Sequence, residues 1–449
     1  MPVREWLCRR WWLVVLLLSL AVLPRLAWVA QMQWDGYDLA IYHNLCWNLA
    51  EGRGFWSDVL GRSHLGEHAS PLMALFAPLY VLVADLRWLP AMQGVAVAAV
   101  ALAAWWIAEQ RLAVLSDPRR RRWGLALFAA LLFSYAPLWS AWWHDPQPVV
   151  YGAAALAWAL IAIERQRWWA CAVLVALLLA SRESAALAGL GLAWYAWRRH
   201  AAPRAAVVIL LASLLWAAFA MLILMPGARE GVAWGHTDRL APLAEPGAKL
   251  IYLARLFGQL AALPLLDPVT ALAALPGILL NLATGHLPQL SSGFHYDVQI
   301  APFLLAAAAA GLARVFAWHG RWPWLVPPLA AALAWGGLPP VRRIVPCADP
   351  DQRRVSAMTR AELDALDLPS GPLAADPQLA PLLCLRQGFH SLRGPRDQGD
   401  ARRVAVLPAG TPIVVQRWWW QQLAPDPALT GGPLHYGPVL EVRARSSEP

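Results

Sequence analysis

The sequence predicts an α-helical polytopic membrane protein, and three observations support this class. Hydrophobic residues make up 59% of the 449 residues and charged residues only 14%, too few to cover the surface of a soluble globule. Leu, Ala and Val fill runs close to the ~20 residues that a helix needs to cross a bilayer. The short alternating segments that are typical of a membrane β-barrel do not occur in the sequence.

The apolar runs predict about eleven transmembrane helices. The candidate spans cover residues 11–30, 90–109, 124–143, 148–163, 168–182, 185–197, 205–225, 250–266, 269–284, 299–317 and 323–338. Because no small-x-small cleavage site follows the first run, we interpret it as an uncleaved helix and not as a signal peptide. The 28 Trp residues fit aromatic belts at the two membrane interfaces.

The placement of the basic residues predicts the orientation of the chain. The net charge is +9, and short basic loops separate the apolar runs: "RR" at 9–10, "DPRRRRW" at 117–123, "ERQRWW" at 164–169, "RRHAAPR" at 198–204 and "WHGRWP" at 318–323. This pattern places these loops and the N-terminus in the cytoplasm and the C-terminus outside it. Topology signals and anionic lipid headgroups account for the basic charge, so we expect no nucleic-acid partner.

One apolar segment does not fit strict alternation of the spans. If residues 69–87, "ASPLMALFAPLYVLVADLR", crossed the membrane, the basic loop at 117–123 would lie outside, against the charge pattern. Pro71 and Pro78 also interrupt the run. We therefore predict that 69–87 is embedded from the outer side without a full crossing, within a first outer loop of 31–89.

The C-terminal part of the chain has a different composition. We predict a transmembrane domain over 1–338 and a small extracytoplasmic α/β region over 339–449, where strand-like pieces such as "TPIVVQ" and "PVLEVRAR" accompany a helical "MTRAELDAL". Cys347 and Cys384 lie in this region. They could form a disulfide or remain unlinked thiols, and no metal-binding Cys-x-x-Cys spacing occurs.

Polar residues gather in four loops that the predicted topology places on the outer side. They are Asp35, Asp38, His43, Glu51, Asp58, His64, Glu67 and His68 in the first loop, then His144 and Asp145, then Arg182 and Glu183, then His286, Gln289, His295, Tyr296 and Asp297. Ionisable residues are costly at a membrane and usually mark function, so the clusters predict one cavity at the outer boundary of the bilayer.

Structural interpretations of the same residues remain open. Asp35 or Asp38 could cap the helix that follows. Arg182 and Glu183 could form an ion pair at a helix end, and His295 and Tyr296 could anchor the chain at the interface. The metal is unknown. Asp35 or Glu67 with Asp145 would offer oxygen ligands for a divalent cation such as Mg²⁺ or Mn²⁺.

The first outer loop resembles a known family. The stretch "DGYDLAIYHNLCWNLAEGRGFWSDVLGRSHLGEHASPLMALFAPLY" is similar to the opening of the uncharacterised bacterial membrane proteins of domain-of-unknown-function family 2079. The matching residues are Asp35, the group His68, Ser70 and Pro71, and the run Pro78, Leu79 and Tyr80. Later motifs appear as "WHDPQP", "SRES" with Arg182 and Glu183, and "FHYDVQIAPFLLAA".

That family resembles the GT-C glycosyltransferases, and this resemblance implies a fold and an activity. Such enzymes carry an essential acid in the first extracytoplasmic loop, an embedded helix before the second span, and often a second acid in the next outer loop. Asp35 and Asp145 occupy the matching places. The chain departs from the superfamily pattern because its first loop has no adjacent pair of acids and its "HDPQP" loop lacks the usual order.

The resemblance predicts a glycosyltransferase of the bacterial inner membrane that moves a sugar from a polyprenyl-phosphate donor to an acceptor on the outer face. Asp35 is the expected general base. His68, Arg182 and His295 are candidates for the phosphate. The remaining expected substrate-binding residues are Asp38, Glu67, His144, Asp145, Glu183 and Tyr296, of which Glu67, Asp145 and Glu183 could instead hold a metal or orient the basic groups.

Two other function classes are kept as alternatives. A transporter or lipid flippase would place ionisable residues near mid-membrane, and Arg25 and Arg255 are the main charges within the predicted spans. A structural or assembly protein would bind a partner through residues 339–449. The gathering of acids on one predicted face favours the enzyme.

Overall fold

The computed structural model describes residues 3–34, 36–229, 240–318, 350–392, 407–417 and 434–445. Asp35, Cys347 and the candidate span 323–338 lie outside these described residues. The chain divides into two compact units. The first comprises Met1–Leu23, Glu67–Leu72 and Met92–Ile344, and the second comprises Pro24–Gly66, Met73–Ala91 and Val345–Pro449.

Helices dominate the chain, in agreement with the predicted class. In chain order they are α1 (Val3–Arg9), α2 (Trp11–Ala30), α3 (Tyr37–Ala50), α4 (His64–Glu67), α5 (Ala77–Leu82), α6 (Trp88–Leu112), α7 (Pro118–Ser134), α8 (Ala136–Trp143), α9 (Pro148–Glu164), α10 (Trp168–Leu179), α11 (Ala185–His200), α12 (Pro203–Phe219), α13 (Met225–Arg229), α14 (Pro246–Gly258), α15 (Pro268–Ala271), α16 (Leu275–Leu282) and α17 (Ala301–Ala317). Proline stands at the first helical position of α7, α9, α12 and α14, where its fixed φ and missing N–H suit a helix start.

Within the described residues, three helices are long and apolar enough to cross a membrane: Trp11–Ala30, Trp88–Leu112 and Pro203–Arg229. A fourth is obtained if α7 and α8, bent by 44°, are counted as one span. Further predicted spans are shorter apolar helices, such as α9, α10 and α17. The predicted span 250–266 is divided, because α14 ends at Gly258 and a 3₁₀ turn follows at Leu263–Leu266.

Residues 69–87, the apolar segment that does not fit the predicted alternation of spans, contain a short helix. A 3₁₀ turn over Pro71–Phe76 leads into α5, so the helical part covers Pro71–Leu82. Its length is roughly 20 Å, less than the ~30 Å thickness of the hydrocarbon core. A helix of this length cannot span the membrane alone; its embedding from the outer side stays a prediction.

The core of the first unit forms around α17, which is buried along almost its whole length. Its alanines allow close contact with neighbouring helices and leave no large side chain to accommodate. Helix α9 also lies very close to the turn that follows α10. A Cβ at Gly152 would lie 2.2 Å from Ser181 Oγ, so only glycine permits this contact.

The second unit contains the predicted α/β region. A helix covers Pro350–Ala365, and the strands are β1 (Trp56–Ser57), β2 (Arg62–Ser63), β3 (Leu373–Ala375), β4 (Phe389–Ser391), β5 (Pro412–Gln416), β6 (His435–Tyr436) and β7 (Leu440–Ala444). Five of them form one sheet in the order β4-β3-β5-β7-β6. Strand β3 pairs in parallel with β4 and β5, and the pairs β5–β7 and β7–β6 are antiparallel.

Residues of the predicted first outer loop pack against this C-terminal region inside the second unit. Asn44 Nδ2 donates to the Cys384 carbonyl oxygen at 2.6 Å, and Asp58 Oδ1 accepts the Gly388 N–H at 3.1 Å. Gly36 has a φ of 96°, and a Cβ there would lie 1.9 Å from the Pro377 carbonyl oxygen. Cys384 is a buried free thiol.

Candidate functional site

The turn between α10 and α11 carries the central cluster of the first unit. Glu183 is buried, and its Oε1 lies 3.1 Å from His68 Nδ1 while its Oε2 accepts the Ala69 N–H at 3.0 Å. Arg182 Nη2 lies 2.7 Å from His68 Nε2. The predicted ion pair of Arg182 and Glu183 is therefore part of a triad with His68, with 3.4 Å between Arg182 Nε and Glu183 Oε1.

The triad determines which nitrogen of His68 carries a proton. Arg182 has only donors, so the His68 Nε2 atom that it contacts must accept. The proton then lies on Nδ1, which donates to Glu183. Burial opposes the charged form of Glu183, but the electrostatic interaction and hydrogen bond with His68, followed by the charge of Arg182, outweigh it. The pKa of this carboxyl therefore lies well below its usual value.

A cavity of about 430 Å³ opens beside the triad within the first unit. Its polar lining includes the predicted residues His68, Arg182, Glu183, His295 and Tyr296, together with Ser184, Asn281, Thr284, Gln289 and Gln299. Its apolar lining includes Val149, Leu187, Met221, Leu280, Ile300 and Phe303. The cavity therefore combines the Arg182 guanidinium and several hydrogen-bonding groups with hydrocarbon walls, an arrangement that suits an amphipathic ligand.

The loop before α17 supplies a second group of aromatic and basic side chains. His144 stacks on Phe294 with 4.8 Å between ring centroids, and the His144 and His295 rings are 6.2 Å apart. His295 is buried, and burial together with the nearby basic groups Arg182, His144 and His68 holds the pKa of its imidazole well below the usual value. His295 is thus a neutral hydrogen-bonding group at neutral pH and not a cation.

A buried polar network lies behind this wall. Asp297 Oδ1 accepts from the Tyr252 hydroxyl at 2.7 Å and from Asn281 Nδ2 at 2.9 Å. Asn281 Oδ1 in turn accepts from Gln289 Nε2 at 3.0 Å, so the network fixes the orientation of two amides that line the cavity. Burial raises the pKa of Asp297 to about 7, although its two hydrogen bonds oppose the shift.

Sequence reasoning missed Asn281, Thr284 and Gln299 as cavity residues. Asn281 stands in the apolar run "ILLNLA", and a lone amide in such a run is the signal that could have identified it, because a buried amide needs partners. Tyr252 was missed as well. Nothing in its local sequence distinguishes it from a tyrosine of the aromatic belt.

The remaining predicted site residues either lie elsewhere in the structure or lie outside the described residues. Asp35 lies outside the described residues. Asp38 is half-buried in the first turn of α3 and belongs to the second unit. In the first unit, Glu67 is half-buried at the end of α4 and Asp145 is buried with 2% exposure. The part of the chain that the structure describes contains no group of three or more His, Cys, Asp or Glu side chains that could hold a metal ion.

Comparison with solved structures identifies the class of fold. Two crystal structures of ArnT from Cupriavidus metallidurans, one bound to undecaprenyl phosphate and one in the apo state, each match with a TM-score of 0.54 at 14% identity. The match covers 97% of this chain and 98% of each ArnT chain. The protein is a multi-pass membrane protein with a GT-C-like fold, as the sequence predicted.

The family follows from the sequence match. Residues 28–237 and 239–392 match the family described as "Predicted membrane protein (DUF2079)", and the chain belongs to this family. No curated protein matches the sequence. The resemblance inferred from the first outer loop is thereby confirmed.

Proposed function

We propose that the protein is a GT-C-type glycosyltransferase that moves a sugar from a polyprenyl-phosphate donor to an acceptor on the outer face of the bacterial inner membrane. The cavity of the first unit carries this proposal. It places the Arg182 guanidinium, held by His68 and Glu183, in the lining of a space with apolar walls. A lipid-linked phosphate needs both features, a cation for its charge and hydrocarbon contact for its chain.

The triad supports the phosphate end. Arg182 borders the cavity, and its guanidinium is oriented by contacts with His68 and Glu183. An oriented guanidinium stabilises a leaving phosphate without reorganisation during the reaction. The two ring nitrogens of His68 contact Glu183 and Arg182, so His68 acts in this proposal by positioning Arg182.

Other polar residues of the cavity lining support recognition of the donor. The neutral His295 and the amides of Asn281 and Gln289 line the cavity and offer hydrogen bonds to sugar hydroxyls. Tyr296 lies beside His295 with ring centroids 4.5 Å apart. Asp38, Glu67, His144 and Asp145 stay proposals for contact with the acceptor or the sugar.

The proposed reaction is a direct transfer at the anomeric carbon. Asp35 accepts the proton of the acceptor hydroxyl as that oxygen forms a bond to the anomeric carbon. The bond between the anomeric carbon and the phosphate oxygen breaks, and the electron pair leaves with the lipid phosphate. Arg182 stabilises the charge that develops on the phosphate. The ArnT structure with undecaprenyl phosphate supports this choice of donor class, because it shares the fold.

The test is transfer by the purified protein in nanodiscs from radiolabelled polyprenyl-phosphate sugars to an extracted envelope acceptor fraction. Asp35→Asn should abolish transfer and retain binding of the donor lipid, since only the proton acceptor is lost. Glu51→Gln removes an exposed carboxylate of the same loop and should transfer like the wild type.

Two outcomes would contradict the proposal. Transfer by Asp35→Asn at the wild-type rate would refute the assignment of the base. Binding of the donor lipid without any transfer, combined with movement of that lipid between leaflets, would identify a flippase.

A further inference from the structure

A second cavity of about 690 Å³ lies between α10 and α12 and shares no lining residue with the candidate site. Ala172, Val175 and Ala176 of α10 form one wall, and Val208, Ile209 and Ala212 of α12 form the other. The small side chains leave a long apolar groove between the two helices. Trp168 and Arg204, at the N-terminal ends of α10 and α12, also line it.

The groove opens on a surface that faces lipid. Helix α12 belongs to the membrane span Pro203–Arg229, and only 17% of its most apolar window is buried within the protein. Val208 is 65% exposed and Leu215 is 69% exposed. Exposed side chains of this kind on a spanning helix contact the hydrocarbon of the bilayer, so a lipid chain has direct access to the groove.

Arg204 is a cation at the groove that the described residues leave without a side-chain partner. In the same basic loop, Arg198 lies over the rings of Trp194 and Trp197, and Arg199 pairs with Asp267 at 3.4 Å. Among the residues that the structure describes, the Arg204 side chain makes no hydrogen bond, ion pair or ring contact. The groove thus combines an apolar floor with a positive charge that the described protein does not neutralise.

We propose that this groove binds an anionic phospholipid of the cytoplasmic leaflet. The acyl chain lies between α10 and α12, and the phosphate pairs with the Arg204 guanidinium. The cytoplasmic side follows from the basic loops 164–169 and 198–204, which the charge pattern places inside. Trp168 lies at the start of α10, where an indole can rest in the headgroup region of the bilayer. Anionic lipids are enriched in the cytoplasmic leaflet.

We expect the groove to prefer lipids with a net negative charge over zwitterionic lipids with the same acyl chains. A zwitterionic lipid fills the apolar groove equally well, but its own cation offsets the attraction of Arg204 for the phosphate. One basic residue near a membrane surface favours an anionic lipid by about fivefold. This inference is independent of the proposed transferase activity, because the groove and the candidate site have no residue in common.

The experiment is native mass spectrometry of the full chain released from mixed micelles that contain phosphatidylglycerol and phosphatidylcholine with identical acyl chains. The wild type should retain one phosphatidylglycerol in about fivefold preference. Arg204→Gln should remove the preference. Arg198→Gln, which removes a charge of the same loop that is held over Trp194 and Trp197, should keep it.

A second variant tests the groove without changing charge. Ala176→Trp places an indole between the helices and should lose the retained lipid, while an unchanged thermal midpoint shows that the fold is intact. Equal retention of both lipids by the wild type would overturn the proposal, as would retention by Ala176→Trp at the wild-type level. If the wild type retained polyprenyl phosphate in preference to phosphatidylglycerol, and Arg204→Gln lost that preference, the proposal would also be overturned.

Discussion

Replacement of Arg182 by glutamine tests the phosphate end of the candidate site. The Arg182 side chain is 16% exposed, so water screens it only partly. Glutamine keeps a hydrogen-bonding group of similar shape and removes the charge. The Arg182 carbonyl oxygen, which accepts from Trp216 Nε1 at 3.2 Å, is unchanged, so the turn between α10 and α11 keeps this contact.

The expected loss of binding follows from the charge of the contact. A hydrogen bond to a charged group contributes about 1.5–3 kcal/mol, which corresponds to roughly 10- to 150-fold in affinity. Arg182→Lys retains the charge but lacks the planar fork, so its affinity should lie between those of the wild type and Arg182→Gln.

The assay is equilibrium binding of sugar-free polyprenyl phosphate to the purified protein in detergent. Arg87→Gln is the matched control, because Arg87 is an arginine of the predicted first outer loop whose side chain is 66% exposed. It should bind like the wild type. If Arg182→Gln binds within twofold of the wild type while Arg87→Gln does the same, Arg182 does not hold the phosphate and the reasoning fails.

Three further predictions concern stability, measured as thermal midpoints in detergent. Glu183→Gln should destabilise the first unit by about 3 kcal/mol, because Arg182 and His68 lose a buried charged partner; a midpoint equal to that of the wild type would show that the triad is not a stabilising pair. The pKa of Asp297 is raised to about 7 in the folded protein. The contribution of the protonated Asp297 carboxyl to the free energy of unfolding is therefore fully present below about pH 4 and is lost as pH rises through 7. The wild type should therefore lose up to about 3 kcal/mol relative to Asp297→Asn between pH 5 and 8, and parallel pH curves for the two proteins would contradict this. Gly36→Ala should destabilise the second unit by at least about 2 kcal/mol, because a Cβ would lie 1.9 Å from the Pro377 carbonyl oxygen at a φ of 96°; limited proteolysis of the C-terminal region at the wild-type rate would argue against this contact.

Much of the architecture could be predicted because its causes are local. Runs of apolar residues, prolines at helix starts such as Pro148 and Pro203, and basic loops each act within a few residues of themselves. Breaks within the predicted span 250–266 could not be located in this way. Ala261 and Ala262 have φ values of 52° and 55°, and apolar alanines give no local signal for a left-handed backbone.

By itself, the sequence determined the membrane class, the family, and the candidate residues His68, Arg182, Glu183, His295 and Tyr296, because composition and short motifs can be recognised without knowing which segments meet. Only the tertiary structure decided that His68 lies between Arg182 and Glu183, more than a hundred positions away along the chain. It also decided that Asn281 and Asp297 form one buried network. Such pairs depend on how helices pack against one another, and packing is a property of the whole chain and not of any segment.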